Sequence, residues 1–223
     1  MWTATNSEGY PAPVALAADT VVLTVRDGAL AVLVADEDAG GPGGGGPALP
    51  GGFVGPDEAP AATARRKLAE KTGLDHPYLE QLATFADPGR DPRGWIPTVA
   101  HLALVPPSVD GRWLPVRDAP PLAYDHARIL AAAVERVEGK LWWSNVAVGI
   151  LPGPFTLAEA RAVYTAIAGV TYDPATFGRD LKATGLIEPT GELRSDGPGR
   201  PAALFRFVSS DPTWGAGRRK RVR

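Results

Sequence analysis

Residues 51–74 read GGFVGPDEAPAATARRKLAEKTGL and join a glycine-rich loop to a segment of helical pattern. Across residues 58–72 the alanines and Leu68 recur at spacings of three and four, which predicts a helix with one buried face. Asp57 and Glu58 favour the helix start, and Gly73 is typical of a C-cap. The stretch therefore predicts a loop that follows a strand and opens a helix.

The segments around this stretch indicate a mixed α/β sandwich. Residues 20–26 and 29–35 are rich in β-branched residues and flank Asp27-Gly28, a dipeptide that favours a tight hairpin turn. The glycine- and proline-rich residues 36–48 predict an irregular, mobile loop. Further predicted elements are strands over 79–85 and 95–105 and a helix over 125–138 that Gly139 ends. We expect residues 14–150 to form one domain.

A second domain is predicted after Leu151-Pro152-Gly153-Pro154, which breaks regular structure. Thr156 and Glu159 match a capping box, and Asp173-Pro174 matches the start of a second helix. Two short helices joined by a tight turn predict a helix-turn-helix. Two predicted strands, 186–192 and 203–208, flank a basic tip and form a wing. We expect this domain to span 155–210, with a basic, disordered tail over 211–223.

Composition and charge narrow the function classes. The chain has no cysteine, which excludes disulfides and thiolate metal sites. Residues 1–13 resemble no signal peptide, and no apolar stretch approaches the ~20 residues of a membrane span, so we expect a cytoplasmic protein without membrane contact. From Phe155 onward, eleven Lys and Arg face seven Asp and Glu, although the whole chain carries −2. Such asymmetry favours a polyanion-binding module, and the alternative is a solvated basic tail.

The spacing within residues 52–74 resembles the Nudix box. In that family a Gly, five residues, a Glu and seven residues precede R-E-U-x-E-E-x-G-U, where U is a large aliphatic residue and carboxylates hold Mg²⁺ or Mn²⁺. The matching residues are Gly52, Glu58, Arg66, Leu68, Glu70, Gly73 and Leu74. Lys67 and Lys71 stand where the family has two glutamates. The resemblance implies a Nudix-like α/β/α sandwich with a mixed sheet, of the α/β (α+β) class.

The two lysines change the predicted chemistry of the box. Residues 67, 70 and 71 share one helical face, which in a hydrolase would converge on a divalent cation. Because Lys67 and Lys71 replace two negative charges with positive ones, we expect no metal site, no required cofactor and no hydrolysis. The lysines either pair with Glu58 and Glu70 or neutralise ligand phosphates, and a weak cation at the two glutamates is left open.

A second motif, residues 85–95, reads FADPGRDPRGW. Together with the Nudix-like box and the winged helix, this motif resembles the Nudix-related transcriptional regulators of NAD metabolism. The resemblance runs from about residue 20 to 208. It implies that the Nudix domain binds ADP-ribose or a related NAD-derived nucleotide as effector. It also implies that a homodimer binds double-stranded operator DNA through its winged helices, with the ligand changing DNA affinity.

The residues of the second motif fit this ligand. Arg90 and Arg93 offer guanidinium forks for a pyrophosphate, and Phe85 and Trp95 offer an apolar face for adenine. The alternative, which the residues alone weight equally, is a proline-rich loop held by Arg–Asp pairs. The predicted ligand-binding residues are Arg26, Gly51, Gly52, Arg66, Phe85, Arg90, Asp91, Arg93 and Trp95.

The predicted DNA contacts lie on the second helix and the wing. Three residues of that helix, Thr176, Arg179 and Lys182, are spaced by three, on the face opposite Phe177 and Leu181. On the wing, Arg194 and Arg200 are predicted to reach phosphate or a minor groove. The alternative is an ordinary solvated helix face.

The leading hypothesis is a repressor of NAD-biosynthesis or salvage genes that acts as a homodimer. One rival is an active Nudix hydrolase with an accessory winged helix. Another is a constitutive DNA-binding protein whose Nudix body only dimerises.

Overall fold

The computed structural model of the 223-residue chain describes residues 4–5, 7–9, 11–12, 15–37, 42–73, 78–195 and 201–211. Two short strands, β1 (Ala4–Thr5) and β2 (Pro11–Ala12), pair antiparallel near the N-terminus. None of the helices in these ranges is long and apolar enough to cross a membrane.

A mixed sheet forms the centre of the molecule, and within the described ranges it has seven strands. They are β3 (Ala17–Arg26), β4 (Ala29–Glu37), β5 (Gly46–Ala48), β6 (Gly51–Phe53), β7 (Tyr78–Phe85), β8 (Thr98–Leu104) and β9 (Arg112–Pro115). The order β5-β4-β3-β8-β7 runs across the sheet, with β6 paired to β3 and β9 to β4. Of the strand pairs in the described ranges, β3 with β8 is parallel and the others are antiparallel.

The first hairpin confirms its prediction, and the loop after it corrects one. Asp27 and Gly28 have φ of 50° and 75°, the left-handed pair that a tight hairpin turn requires. The expectation of an irregular loop over 36–48 is wrong at both ends, since β4 continues to Glu37 and pairs with β5. Pairing with the edge of β4 satisfies backbone groups that the glycines would otherwise leave to water. The centre of that loop, 38–41, lies outside the described residues.

Two helices cover opposite faces of the sheet. Helix α1 (Pro60–Thr72) buries Leu68 against Val22 on one face, whereas α2 (His126–Lys140) buries Ile129 with Val21 on the other. Neighbouring residues of β3 thus face different helices, as strand geometry requires. The predicted α/β/α sandwich with a mixed sheet is confirmed.

Helix ends follow local chemistry at α1 but not at α2. Helix α1 begins at Pro60, two residues later than the helical pattern suggested, and ends at Gly73 in the left-handed conformation. The expectation that Gly139 ends α2 is wrong, because the helix continues to Lys140. The next residue, Leu141, is buried, and its packing outweighs the ~1 kcal/mol that glycine costs inside a helix.

The C-terminal part is a winged helix. Its helices are α3 (Leu157–Ala168) and α4 (Pro174–Ala183), and its strands are β10 (Phe155–Thr156), β11 (Ile187–Arg194) and β12 (Ala202–Phe207), in the order β10-β12-β11. Thr156 and Glu159 form the reciprocal bonds of the capping box. The predicted helix-turn-helix with a two-stranded wing is confirmed, while the wing tip at 196–200 and the tail from 212 lie outside the described residues.

The segment between the two parts contains no helix or strand at 151–154. A short 3-10 helix, Val146–Gly149, leads into it, and another, Val116–Asp118, follows β9. One continuous hydrophobic cluster nevertheless includes Val21 of the sheet, Ile150 before the segment and Phe177 of α4. The predicted extents of the two domains stay a prediction.

Candidate functional site

The Nudix-like box is closed by ion pairs among its own residues. Arg66 donates two hydrogen bonds to Glu58, from Nε to Oε1 at 2.8 Å and from Nη2 to Oε2 at 2.7 Å. It also donates to Glu70 Oε1 at 3.2 Å, and Lys67 donates from Nζ to Glu70 Oε2 at 2.9 Å. Each of the four oxygens of the two glutamates therefore accepts a hydrogen bond from a cation.

These contacts keep both glutamates ionised. The hydrogen bonds from Arg66 lower the pKa of Glu58 to about 2, and the bond from Lys67 is the main cause that lowers the pKa of Glu70. All four oxygens are engaged, so a divalent cation at these glutamates would have to displace the hydrogen bonds from Arg66 and Lys67. Across the described ranges, no group of three or more His, Asp and Glu side chains could hold a metal ion.

Lys67 and Lys71 differ in their contacts. Lys67 pairs with Glu70 as one of the two alternatives predicted, but Glu58 pairs with Arg66 rather than with a lysine. Lys71 has no ion pair within the described residues. A Cβ added to Gly52 would lie 3.0 Å from Lys67 Cε, so the lysine stem crosses directly over the glycine loop.

A cavity of about 250 Å³ opens beside this loop, between the start of β3, the second motif and the start of α2. Five of the nine predicted ligand-binding residues line it: Gly51, Gly52, Arg90, Asp91 and Arg93. The other lining residues are Ala17, Asp19, Ala48, Leu49, Phe53, Tyr124 and His126. The spacing of the box and the second motif thus located the cavity, although they identified only part of its wall.

Arg93 is the cation at the mouth of the cavity. Its guanidinium carbon lies 4.8 Å from the ring centre of Phe53 and 5.5 Å from that of Tyr124. Asp91 holds it in place, accepting from Arg93 Nε at 2.9 Å and from Nη2 at 2.7 Å. Burial alone would raise the pKa of Asp91, but the hydrogen bonds from Arg93 outweigh burial and lower it. The side chain of Arg93 remains 41% exposed, so its outer edge can face a ligand.

Arg90 performs a structural role instead. Its buried guanidinium binds both carboxylate oxygens of Asp125 and donates from Nη1 to the carbonyl of Ile96 at 2.8 Å. A longer contact of 3.4 Å joins Nη2 to Asp19 Oδ2. Both arginines of the loop are thus paired with aspartates, Arg93 with Asp91 inside the loop and Arg90 with Asp125 outside it, which matches the alternative prediction of Arg–Asp pairs.

Four predicted ligand residues lie away from the cavity wall. Arg26 lies at the far end of β3, where its guanidinium carbon is 5.8 Å from the ring centre of Trp113. Arg66 pairs with Glu58 within the box, and the indole of Trp95 donates to the carbonyl of Ala86. Phe85 is buried beneath Arg128 and 7% exposed. Strand direction and local packing place these side chains away from the cavity.

Asp19, Tyr124 and His126 were not predicted. Tyr124 has φ of 54°, a left-handed backbone that no local pattern announces for a tyrosine. His126 was interpreted only as part of the helix start. Asp19 did carry a signal, because it interrupts the otherwise apolar start of β3, AADTVVLTVR.

The winged helix exposes the predicted face of α4. Thr176, Arg179 and Lys182 are exposed, whereas Phe177 and Leu181 are buried. On the wing, Arg194 pairs with Glu159 of α3 at 2.6 Å rather than extending into solvent. Arg200 lies outside the described residues. Four of the five residues predicted to contact DNA are therefore located, and two of them pair with acids: Arg194 with Glu159, and Arg179 with Asp180 at 2.9 Å.

Helix α2 connects the cavity to the winged helix. Its first residue, His126, lines the cavity, and Leu141 just after its end accepts a hydrogen bond from Tyr164 Oη of α3 at 2.8 Å. Burial raises the pKa of Tyr164, so it stays a neutral donor. Trp142 stacks edge-on against Tyr164 and Phe177 with ring centres 5.2 and 5.7 Å apart. Helix α2 and the two residues after it thus contact both the cavity wall and the core of the winged helix.

A mixed sheet between helices, carrying a Nudix-like loop and helix and continuing into a winged helix, defines a two-part protein with a ligand cavity and a DNA-binding type of module. Models of known families agree: the NUDIX domain matches residues 15–133, and the NrtR DNA-binding winged helix domain matches residues 147–207. The ADPR responsive transcriptional repressor NtrR of Acinetobacter baylyi is 35% identical over 215 residues, covering 91% of this chain and 85% of the relative. The chain belongs to this family of NrtR-type transcriptional regulators.

Solved structures give the same result. NrtR of Shewanella oneidensis, crystallised with a 27mer DNA, is 36% identical with a TM-score of 0.76, covering 89% of this chain and 95% of that one. The NUDIX domain of the same protein, crystallised with ADP ribose, is 37% identical with a TM-score of 0.50, covering 59% of this chain and 93% of that one.

Proposed function

We propose that this protein is a transcriptional repressor of NAD-biosynthesis or salvage genes whose DNA affinity responds to ADP-ribose or a related NAD-derived nucleotide. The observation that carries the proposal is the cavity at Arg93 in the same chain as the exposed face of α4. The relatives support it, since one is a repressor responsive to ADPR and another was crystallised both with DNA and with ADP ribose.

The cavity has the chemistry for a nucleotide diphosphate. Arg93, fixed by Asp91, presents guanidinium N–H groups that suit phosphate oxygens. The neighbouring ring of Phe53 is 47% exposed, which leaves an aromatic surface on which a base could stack. We assign the diphosphate to Arg93 and the adenine to the ring of Phe53.

The ligand is bound without being cleaved. The hydrolase chemistry of Nudix enzymes needs a divalent cation, and here Arg66 and Lys67 occupy the carboxylate oxygens that would bind one. Incubation of the protein with ADP-ribose and Mg²⁺ should release no AMP. Release of AMP at an enzymatic rate would favour the rival assignment, a working hydrolase.

DNA binding is assigned to α4. Thr176, Arg179 and Lys182 are exposed at three-residue spacing, the arrangement with which a recognition helix enters a major groove. A single small winged helix makes few contacts, so we expect a homodimer on a palindromic operator. The ligand acts through its different affinity for the DNA-competent and incompetent states.

A gel-shift titration tests the proposal. Promoter fragments from NAD-metabolism operons of the source genome are titrated with protein at physiological salt, with and without ADP-ribose. Lys182→Gln should weaken the specific shift, whereas Glu135→Gln, an exposed residue of α2, should not. Absence of any specific shift would refute the proposal, and a shift that ADP-ribose leaves unchanged would refute its ligand-responsive part.

A further inference from the structure

The floor of the cavity carries a buried carboxylate that the proposed diphosphate contacts do not use. Asp19 interrupts an apolar strand, and its side chain is only 10% exposed. Burying a carboxylate is costly unless it has partners, yet its nearest cation, Arg90, lies 3.4 Å away and binds Asp125 more closely at 2.8 Å. Two carboxylates therefore share one guanidinium, and the floor keeps a negative charge.

The neighbouring strand makes room for this carboxylate. In the antiparallel pair of β3 and β6, Asp19 lies opposite Gly51. A Cβ added at Gly51 would lie 2.2 Å from Asp19 Oδ1 and 2.8 Å from the carbonyl oxygen of Ala18. Any side chain at position 51 would thus displace the carboxylate, so the glycine keeps Asp19 at the cavity wall.

His126 places a hydrogen-bond donor beside Asp19. Its Nδ1 accepts the backbone N–H of Leu49 at 2.9 Å, which leaves the ring hydrogen on Nε2. Nε2 lies 3.8 Å from Asp19 Oδ2, wider than a hydrogen bond. The carboxylate of Asp19 and the imidazole of His126 thus line the same part of the wall, and a hydroxyl group, which can donate to the carboxylate, complements Asp19 there.

We propose that Asp19 and His126 form a hydroxyl-recognition subsite that takes a ribose hydroxyl of the bound nucleotide. A phosphate is excluded there because it would meet the negative charge of Asp19, whereas Arg93 at the mouth attracts it. The nucleotide is thereby oriented, with a sugar on the floor and the diphosphate at the mouth. This inference rests on the proposed function, since it requires a nucleotide in the cavity.

Calorimetry with monodeoxy ADP-riboses, each lacking one ribose hydroxyl, tests the subsite. The wild-type protein should bind one of them about tenfold more weakly than ADP-ribose, because the loss leaves a buried acceptor unsatisfied. Asp19→Ala should bind ADP-ribose more weakly and reduce that penalty to less than about threefold. Asp19→Asn, which keeps an acceptor oxygen of similar size, should fall between the two.

Controls distinguish a failure of the subsite from a failure to fold and from a failure of the proposed function. Asp118→Ala removes an exposed carboxylate elsewhere and should retain the full penalty. Thermal melting identifies a variant that fails to fold, and Asp19→Asn then decides the comparison. The inference is overturned if no monodeoxy ligand binds the wild type more weakly, or if the penalty is the same in wild type and in both Asp19 variants. If the wild type binds no ADP-ribose at all, the proposed ligand fails and the subsite with it.

Discussion

Arg66 decides the chemistry of the box at the scale of single residues. Its one guanidinium engages three carboxylate oxygens on two glutamates, and Lys67 engages the fourth. The arginine occupies the same place in the pattern as in metal-binding relatives of the box.

Replacing Arg66 should release Glu58. In Arg66→Met the pKa of Glu58 should rise from about 2 towards 4.5, because the hydrogen bonds that hold the carboxylate ionised are lost. Since folding lowers this pKa, the stabilisation it gives is complete above pH 4.5 and is lost as pH falls towards 2. NMR titration of the side-chain carboxyl carbon measures the shift.

Arg65→Met provides the matched control, because Arg65 is an exposed neighbour on the same helix. The pKa of Glu58 should stay about 2 in this variant. An equal rise in both variants would show that general helix charge, rather than the specific contact, sets the pKa.

Sequence could identify residues of the cavity only where a motif fixes their spacing. Gly51, Gly52 and Arg93 belong to such motifs and lie at the cavity. Asp19 and His126 come from segments far apart in sequence, which the parallel pairing of β3 with β8 and the packing of α2 bring to the same wall. Asp19 stands out locally as a carboxylate in an apolar strand, but long-range pairing leaves no local sign of which segments it meets.

At the scale of single elements, the helix ends differ in how well the sequence predicts them. Asp173 caps α4 by accepting the backbone N–H of Thr176 at 2.9 Å, and this bond lowers the pKa of the carboxyl. The cap was predictable because Asp followed by Pro is a local signal. The continuation of α2 through Gly139 was not, since burial of Leu141 depends on the winged helix packed against it.

Removal of the α4 cap should weaken both stability and DNA binding. Asp173→Ala should lower the free energy of unfolding, because the N–H of Thr176 loses its acceptor. Fraying of the first turn should also reduce affinity for operator DNA, since Thr176 lies there. Urea denaturation and gel shift measure the two effects.

Asp180→Ala serves as the control for this change. It removes a carboxylate from the body of the same helix, where its partner is the exposed Arg179, and should change the free energy of unfolding by less than about 0.5 kcal/mol. Equal losses in the two variants would mean that helix charge rather than capping stabilises α4.

At the scale of the whole molecule, α2 links the cavity to the winged helix. It starts at the cavity with His126, and beyond its end Trp142 contacts Phe177 of α4. A ligand that shifts the start of this helix would therefore displace the packing beneath the recognition helix, provided that the two arrangements differ in ligand affinity.

Trp142→Leu should uncouple the two sites. ADP-ribose and operator DNA should each still bind, but the change in DNA affinity that ADP-ribose causes should fall at least about fivefold, because the stack against Phe177 is lost. Calorimetry and gel shift, each done with and without the other ligand, give the coupling.

Trp143→Leu is a close control, because that tryptophan is 54% exposed and lies on the next residue. Its coupling should match that of the wild type. If both variants retain full coupling, communication does not pass through the end of α2.

The hydrophobic cluster that crosses residues 151–154 has a consequence for how this protein can be taken apart. Side chains on both sides of that segment, from Val21 to Phe207, exclude water together. Cutting the chain there would expose apolar surface on both fragments. The winged helix should therefore not serve as an independent domain when it is fused to another ligand-binding domain. Heating should accordingly melt the whole molecule in one cooperative transition.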